Sequence, residues 1–415
     1  MPKVIILGGG VAGLSAAHEL LHRGFDVEVY ERNPIYVGGK ARSIDYNHEN
    51  QYKKPLPGEH GFRFFPGFYK HITATMKEIP YPEPSSSQNA FDNLTATSRI
   101  LVARYGKKPI KLTASFPRSL KDLKLIFHTL HGSDSGLTDE EEEFFAERVW
   151  QLMSSCYARR DNDYERLSWW QFTQAARFSQ AYRHLLVEGL TRTLVAAKAE
   201  LASTRTGGDI FLQLLFCMTD PSVDTDRVLD GPTNDRWLTA WKEYLLSKNM
   251  KLTQGASATQ VNMDNGKVKS VTISHQGKLF EVTGDYYLMA MPVEKAAPLI
   301  NKDMIDIDAR LQFIQQLAPS VAWMNGIQYY LTEDVKLNQG HILCSDTEWA
   351  LTCISQVQFW KDYDITTKGN GNVKGVLSVD ISDWFSPGKF TPINRLTNVR
   401  EKRSGKKSGH SSKPT

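Results

Sequence analysis

A glycine-rich turn near the amino terminus constrains the fold more than any other feature of the chain. The continuously apolar run Val4–Leu7, typical of a buried parallel strand, leads into Gly8-x-Gly10-x-x-Gly13 and then into a helical pattern from about Leu14. In such a strand–turn–helix unit Gly8 allows the turn, Gly10 lets a phosphate approach the backbone, and Gly13 lets the helix pack against the strand. The pattern predicts dinucleotide binding. The N–H groups of Val11 and Ala12 are part of the predicted site.

A second strand with a terminal acid follows the helix. Gly24 is placed to end the helix, and 26–31 has the apolar alternation of a strand. Glu31, 21 residues beyond Gly10, is where a carboxylate accepts the hydroxyl hydrogens of an adenosine ribose. Such a carboxylate repels a 2′-phosphate, so the pattern favours a dinucleotide without one. Glu31 and the adjacent Arg32 are candidate cofactor-binding residues.

A glycine pair with neighbouring cations comes next. Gly38 and Gly39 precede Lys40 and Arg42, which suits backbone and charge contacts with a second part of the same pyrophosphate. The run 31–40 resembles the paired-glycine motif of flavoproteins in the amine oxidase and phytoene desaturase superfamily. This resemblance implies FAD as the cofactor. The alternative interpretation of the glycine pair is an ordinary loop before the next strand.

An aromatic segment, 57–69, carries the candidate flavin-side residues. Its pattern Glu59-x-Gly61-x-Arg63-x-Phe65 is similar to the segment beside the isoalloxazine ring in carotenoid desaturases and squalene-type dehydroxylating flavoproteins. The resemblance implies catalytic roles for His60 and Arg63, although those desaturases usually carry His where Arg63 stands. A cation there can stabilise an anionic reduced flavin. The alternative is an aromatic cluster that packs the core, with Arg63 in a structural ion pair.

The middle of the chain is predicted to be helical, from about 119 to 217. Thr138 and Glu141 form a capping box, and one apolar stripe contains Leu120, Leu123 and Phe127. A stripe of this kind favours a helix that packs inward. Peripheral membrane contact that admits an apolar substrate is the alternative.

Beyond residue 251 the period changes to that of strands. Three short strands are predicted at 258–263, 267–274 and 278–282, and the run 286–291 reads as a parallel strand that returns to the first sheet. This order resembles the antiparallel meander and return strand of FAD-binding domains. The resemblance implies that the backbone around Val261 contacts adenine.

These elements predict an α/β fold class, with a Rossmann-like FAD-binding domain (parallel sheet plus antiparallel meander) and an inserted α+β substrate domain. Strands of a second sheet are predicted at 321–331, 349–354 and 376–381. The predicted limits are 1–85 and 225–300 for the discontinuous FAD-binding domain, 86–224 and 301–393 for the helical and mixed-sheet substrate domain, and 394–415 for a disordered basic tail.

The charge and cysteine content of the chain restrict the functional classes to which it can belong. The net charge is +4, but the stretch from Asn394 onward carries +6, which leaves −2 for the rest of the chain. A solvated tail is favoured over an arm that binds nucleic acid. The four cysteines show no C-x-x-C spacing, so neither a metal site nor a disulfide framework is predicted. With no predicted signal peptide or membrane span, a cytoplasmic protein is expected, with peripheral membrane contact as the alternative.

The leading functional hypothesis is an FAD-dependent oxidoreductase that transfers a hydride from a largely apolar, isoprenoid- or carotenoid-like substrate to flavin. A flavin amine oxidase is the second hypothesis. The third is a non-catalytic remnant, because the superfamily ends with a strand, a Gly-Asp pair and a helix that are not found in this sequence. The sequence leaves the substrate, the electron acceptor and the oligomeric state open.

Overall fold

The computed structural model describes residues 1–388 with short gaps. The gaps are 48–51, 83–86, 98–99, 107–108, 112–116, 133, 190, 193–195, 221–223, 225, 323 and 345. The predicted basic tail, 394–415, lies outside the described residues.

The strands of the described residues form two main sheets, a meander and two short pairs. In chain order they are β1 (Lys3–Leu7), β2 (Asp26–Glu31), β3 (Ser43–Tyr46), β4 (Leu56–Glu59), β5 (Leu94–Ala96), β6 (Leu101–Ala103), β7 (Ile110–Lys111), β8 (Arg227–Leu229), β9 (Lys251–Gln254), β10 (Ala256–Asp264), β11 (Lys267–His275), β12 (Lys278–Val282), β13 (Tyr286–Met289), β14 (Asn325–Leu331), β15 (Ile342–Cys344), β16 (Leu351–Ser355) and β17 (Gly375–Ile381).

The longer helices are α1 (Val11–His22), α2 (Lys70–Glu78), α3 (Leu120–His131), α4 (Asp139–Met153), α5 (Thr204–Thr219) and α6 (Thr239–Ser247). Shorter helical segments are Gly39–Ala41, Ala90–Asn93, Tyr157–Arg159, Arg160–Tyr164, Trp169–Phe172, Ala175–Arg177, Tyr182–Glu188, Asn234–Leu238, Val293–Ala296, Ala297–Leu299, Lys302–Ile307, Ala309–Leu311, Gln312–Leu317, Ala318–Ser320, Val357–Phe359 and Ile365–Thr367. No helix in the described part of the chain is both long and apolar enough to span a bilayer.

The first sheet is parallel, with strand order β13-β1-β2-β9. The interior strand β1 is apolar from Val4 to Leu7 because both of its faces are covered there. Val4 and Ile6 pack in one core with helices α1 and α6, whereas Ile5 and Leu7 pack in a second core with the meander. The α/β class and the returning parallel strand are confirmed. Strand β9 of this sheet, Lys251–Gln254, was not predicted.

The meander β10-β11-β12 is antiparallel and agrees with the three predicted strands. Asn265 and Gly266 join the first two strands with φ of 48° and 75°, the left-handed conformations that a tight hairpin turn requires. The short helical segment at 302–307 packs on the same core as Ile5, through the buried Met304. That packing crosses the predicted boundary at residue 300, and the division into domains stays a prediction.

The second sheet has the order β14-β17-β16-β15-β6-β7. It contains the three strands predicted beyond residue 320, although the first begins at Asn325 instead of Val321. Strands β6 and β7 join this sheet from a part of the chain for which no strand was predicted. Since β6 pairs parallel with β15, residues near 101 and 342 become neighbours.

The predicted helical region forms its own core. Thr138 begins α4 with the expected capping box to Glu141, and Leu123 and Phe127 of α3 are fully buried among α4 and α5. The apolar stripe of α3 therefore packs inward, as favoured. Trp169 is buried at the centre of this cluster.

Candidate cofactor and substrate site

The turn between β1 and α1 requires glycine for steric reasons. Gly8 has a φ of 116°, and a Cβ there would lie 2.6 Å from the carbonyl oxygen of Ala290. A Cβ on Gly13 would lie 1.9 Å from the carbonyl oxygen of Gly8. The strand, the turn and the helix can thus approach this closely only without side chains at the two positions.

Helix α1 begins at Val11, three residues before the predicted start. Gly13 consequently lies in the first helical turn. Gly10 is the N-cap in an extended conformation, and no side chain in the described residues caps this end. The first N–H groups of a helix have no intrahelical acceptors and carry its partial positive charge, so this end suits a phosphate.

Glu31 lies at the carboxyl end of β2 beside the turn. Its Oε2 accepts a hydrogen bond from the Gly9 N–H at 2.7 Å, and its Oε1 accepts one from the Asn33 N–H at 2.6 Å. The side chain is almost fully buried. Each oxygen keeps a second lone pair, so the fixed carboxylate can still accept from two ribose hydroxyls.

The glycine pair packs directly on the first turn. The Gly38 N–H donates to the Gly9 carbonyl at 2.7 Å, and Gly38 and Gly39 both have left-handed φ values, 91° and 56°. A Cβ on Gly39 would lie 3.1 Å from the Gly10 Cα. The two glycine segments therefore meet backbone to backbone.

The cations near this junction differ in their surroundings. Arg42 donates from Nη1 to the Gly39 carbonyl, and its Nε is buried without a hydrogen-bond partner in the described part of the chain. Lys40 is exposed and lies 3.6 Å from Glu294, and Arg32 is exposed. The uncapped helix end, the side-chain-free junction and the orphaned Arg42 nitrogen fit an adenosine diphosphate group. The assignment of these residues to FAD remains a prediction.

Arg63 connects the aromatic segment to the glycine pair. Its Nε donates to the Ala41 carbonyl at 3.0 Å and its Nη2 to the Lys40 carbonyl at 2.9 Å. It also lines the large cavity described below. His60 is exposed and does not line that cavity. The protein around its ring nevertheless excludes part of the solvent, and this partial desolvation, together with the charges of Arg42 and Arg63, lowers the pKa of His60. Of the two predicted flavin-side residues, only Arg63 reaches the cavity.

Glu59 connects the same aromatic segment to the residues that precede α6. Its carboxylate accepts hydrogen bonds from the Thr233 N–H at 2.9 Å and the Thr233 hydroxyl at 3.1 Å. Burial raises its pKa to about 7, against the opposing effects of these bonds and of Arg63. The contact holds the segment 59–63 to the chain entering α6.

Val261, the predicted adenine contact, lies in the middle of β10. Its side chain is buried in the core with Ile5 and Leu7, and its carbonyl accepts a hydrogen bond from the Asn301 side chain at 2.9 Å. The structure thus places Val261 in the meander core, and its role toward adenine stays a prediction.

A cavity of about 1340 Å³ begins beside the two glycine segments. Val11 and Ala41 line its near end, and Phe127, Phe145 and Phe211 of the helical core line its far end. Most of its lining is apolar. The cavity thus leads from the proposed dinucleotide site into the inserted helices, with room for a large apolar molecule.

Among the polar side chains in the cavity wall, three come from separate strand regions and lie close together. Asp226 precedes β8, His341 precedes β15 and Asp380 belongs to β17, and all three line the cavity. His341 Nδ1 lies 2.6 Å from Asp226 Oδ2, and both side chains are more than nine-tenths buried. Burial raises the pKa of Asp380 to about 7, while the charges of Arg63 and His341 oppose the shift.

No motif in the sequence predicts this trio. Asp226 and His341 are far apart along the chain, and neither lies in a recognisable motif. The only local indication is that both immediately precede a short strand, and many proteins share that feature. Gly61 is part of the arrangement, because a Cβ there would lie 2.6 Å from Asp380 Oδ1.

A cluster of two histidines and a glutamate lies on helices α1 and α2, with His18 buried and the other two residues exposed. His18, His22 and Glu78 place their ligand atoms within 4.8 Å of one another. The Trp241 indole N–H donates to His18 Nδ1 at 3.2 Å, so the ring proton of a neutral His18 sits on Nε2, which lies 3.1 Å from Glu78. That proton occupies the position where a cation would bind.

Comparison with known proteins supports this interpretation of the amino-terminal part. The family of NAD(P)-binding Rossmann-like domains matches residues 6–79. The zeta-carotene desaturase of Zea mays is 38% identical over 77 residues, which are 19% of this chain and 12% of that protein. The 1-hydroxycarotenoid 3,4-desaturase of Flavobacterium sp. (strain P99-3) is 49% identical over 45 residues, 11% of this chain and 9% of that protein.

The fold is similar to solved structures over nearly the whole chain. An oxidoreductase from Methanosarcina mazei superposes with a TM-score of 0.59 and 14% identity, covering 98% of this chain and 82% of that one. The sequence matches thus support the dinucleotide-binding segment, and the structural match supports the fold of the remainder.

Proposed function

We propose that the chain is an FAD-dependent oxidoreductase of the amine oxidase and phytoene desaturase superfamily and acts on a largely apolar substrate. The cavity that runs from the glycine segments into the helical core carries this proposal. A polar substrate would lose its hydration against the aromatic far end without compensation. An extended hydrocarbon would gain from the same transfer.

The dinucleotide half of the proposal uses backbone groups and one acid. The amino-terminal N–H groups of α1 would bind the pyrophosphate, Glu31 the adenosine ribose, and the Gly38–Gly39 junction with Arg42 the other side of the phosphates. Bound FAD would supply hydride acceptance at its ring. Within the described residues, Arg42 Nε is buried and has no hydrogen-bond partner, and this observation gives the most direct support for a bound anion.

The substrate half of the proposal rests on the shape of the cavity and on its largely apolar lining. Val11 and Ala41 place its near end next to the cofactor segments, so a long molecule held by Phe127 and Phe211 would reach toward the ring. Arg63 lines the same end, and its guanidinium is held by three backbone carbonyls. A cation fixed there would stabilise negative charge that develops on a reduced ring. An isoprenoid- or carotenoid-like hydrocarbon, such as the name of the maize relative indicates for that protein, is the substrate class we propose.

Reconstitution with FAD tests the proposal directly. The full chain is incubated with excess FAD, desalted and measured by flavin absorbance, and about one flavin per chain is expected. The loaded protein is then mixed anaerobically with zeta-carotene and with putrescine, and bleaching of the flavin by the carotenoid alone is expected. A chain that retains no flavin would support the non-catalytic alternative, and bleaching by the amine alone would support the amine oxidase alternative.

A further inference from the structure

Two cysteines are neighbours on the second sheet. Strands β15 and β16 pair antiparallel, with Ile342 opposite Cys353 and Cys344 opposite Leu351. Cys344 is therefore the diagonal neighbour of Cys353, and the two side chains project from the same face of the sheet. Both cysteines are free and partly exposed. The strand pairing thus brings two accessible thiols together.

The cysteine pair faces away from the cavity. Leu343 and Thr352 alternate with the cysteines along the two strands and so project from the opposite face. Both of them line the cavity, whereas Cys344 and Cys353 do not. The thiols therefore lie on the reverse side of the cavity wall. Their chemistry needs neither FAD nor a substrate, and the inference drawn from them is independent of the proposed function.

The two thiols differ in acidity. A hydrogen bond from the Cys353 thiol lowers the pKa of Cys344, and this effect outweighs the opposing effects of burial and of the Asp346 charge. The same hydrogen bond, together with burial, raises the pKa of Cys353. Cys353 therefore keeps its proton while negative charge develops on Cys344. Because the thiolate is the nucleophile in thiol chemistry, Cys344 is suited to attack and Cys353 to react second.

We propose that Cys344 and Cys353 form a thiol–disulfide exchange site that reacts with small disulfides such as glutathione disulfide. The Cys344 thiolate attacks one sulfur of the small disulfide, whose S–S bond breaks and releases one thiolate. Cys353 loses its proton and attacks the Cys344 sulfur, and the bond to the second small thiol breaks. The cysteines are oxidised to a disulfide, and the small disulfide is reduced to two thiols, which take up the two protons.

The diagonal arrangement favours a reversible disulfide over a permanent cross-link. Diagonal neighbours on antiparallel strands have Cα atoms about 7–8 Å apart, slightly more than the roughly 4.4–6.8 Å that a disulfide usually spans. The hydrogen bond between the thiols brings the two side chains together, but the strands must also approach each other locally when the bond forms. A disulfide closed in this way is readily reduced.

Oxidation by glutathione disulfide tests the proposal. The full chain is reduced, freed of reductant and incubated with glutathione disulfide. Its remaining thiols are then alkylated in urea, and tryptic peptides are analysed by mass spectrometry. Both cysteines lie on one tryptic peptide, 337–361. The expected main form of this peptide carries no alkyl group and no glutathione and has lost two hydrogens. The exposed Cys156 should instead acquire one glutathione.

Serine variants test the role of each cysteine. In C353S the peptide should retain one glutathione on Cys344, because serine can donate a hydrogen bond to the thiolate but cannot displace the glutathione. In C344S, Cys353 should acquire glutathione at least about 10-fold more slowly than Cys344 does in C353S, since burial raises its pKa. The control C156S should form the disulfide as the unaltered chain does. Circular dichroism confirms that each variant is folded.

Four results would overturn the inference. A peptide 337–361 that is fully alkylated after oxidation, or that carries two glutathiones, would show that the thiols do not act as a pair. A disulfide that forms only when the oxidation is carried out in urea would show that the folded strands prevent it. Equal rates of glutathione uptake in C344S and C353S would remove the attacking role assigned to Cys344.

Discussion

The nucleotide end of the site and the wall of the cavity differ in how their functional atoms are assembled. At the nucleotide end, the first glycine turn, the acid and the glycine pair all come from residues 8–42 and act largely through backbone atoms. In the wall, Asp226, His341 and Asp380 come from three distant segments and act through side chains. Local backbone geometry can be encoded by a short motif, whereas a side-chain constellation depends on how separate elements pack.

The largest expected effect is a difference in stability between two glycine-to-alanine variants, one at the nucleotide end and one in a helix that lines the cavity. Gly13→Ala should destabilise the protein by about 3 kcal/mol or more, because its Cβ would overlap the Gly8 carbonyl oxygen at 1.9 Å. Gly207→Ala, in the cavity-lining helix α5, should stabilise it by about 1 kcal/mol, since nothing lies within 4 Å of the added Cβ. Urea denaturation of both variants measures the contrast, and equal stabilities would contradict it.

The second prediction concerns the contribution of the Glu31 carboxylate to FAD binding. Glu31→Gln should weaken FAD binding about 10-fold, because the neutral amide keeps one acceptor oxygen where the carboxylate offers two. The matched control is Glu28→Gln on the same strand, whose carboxylate instead pairs with Lys3 at 3.0 Å and Lys251 at 3.3 Å. Titration of FAD followed by flavin fluorescence compares the two. An unchanged affinity in Glu31→Gln would remove Glu31 from the site.

The smallest expected effect concerns the cavity wall and its pH dependence. The pKa of Asp380 is raised to about 7 by burial, so between about pH 4 and 7 the folded chain holds a proton that the unfolded chain has lost. The free energy of unfolding contributed by Asp380 therefore falls as pH rises through that window and is level above it. In Asp380→Asn this fall should be absent.

The measurement is a series of denaturation curves from pH 4.5 to 8, and the difference between variant and unaltered chain should change by about 1 kcal/mol or more across the window. The pKa of Glu59 is also raised to about 7. Its contribution to the pH dependence of the free energy of unfolding has the same sign in both proteins and so cancels in the difference between them. A constant difference across the series would mean that Asp380 titrates normally.

Much of the fold was predictable because its elements carry strong local patterns. The apolar run of β1, the hairpin at Asn265–Gly266 and the capping box at Thr138 each produced the expected element. The strand β9 was missed because Lys251–Gln254 has little apolar periodicity and is a strand only by pairing with β2. The start of α1 was placed too late, since Val11 and Ala12 belong to the helix although they lie within the glycine motif.

The sequence by itself determined the α/β class, the family resemblance and the positions of the glycines and the acid, because these depend on backbone conformation over a few dozen residues. The tertiary structure alone decided where the cavity runs, that His60 faces outward while Arg63 faces the cavity, and that Asp226 meets His341. The reason is physical. Short-range patterns fix conformation through sterics and local hydrogen bonds, whereas contacts between residues far apart along the chain form only when the sheets and helices pack.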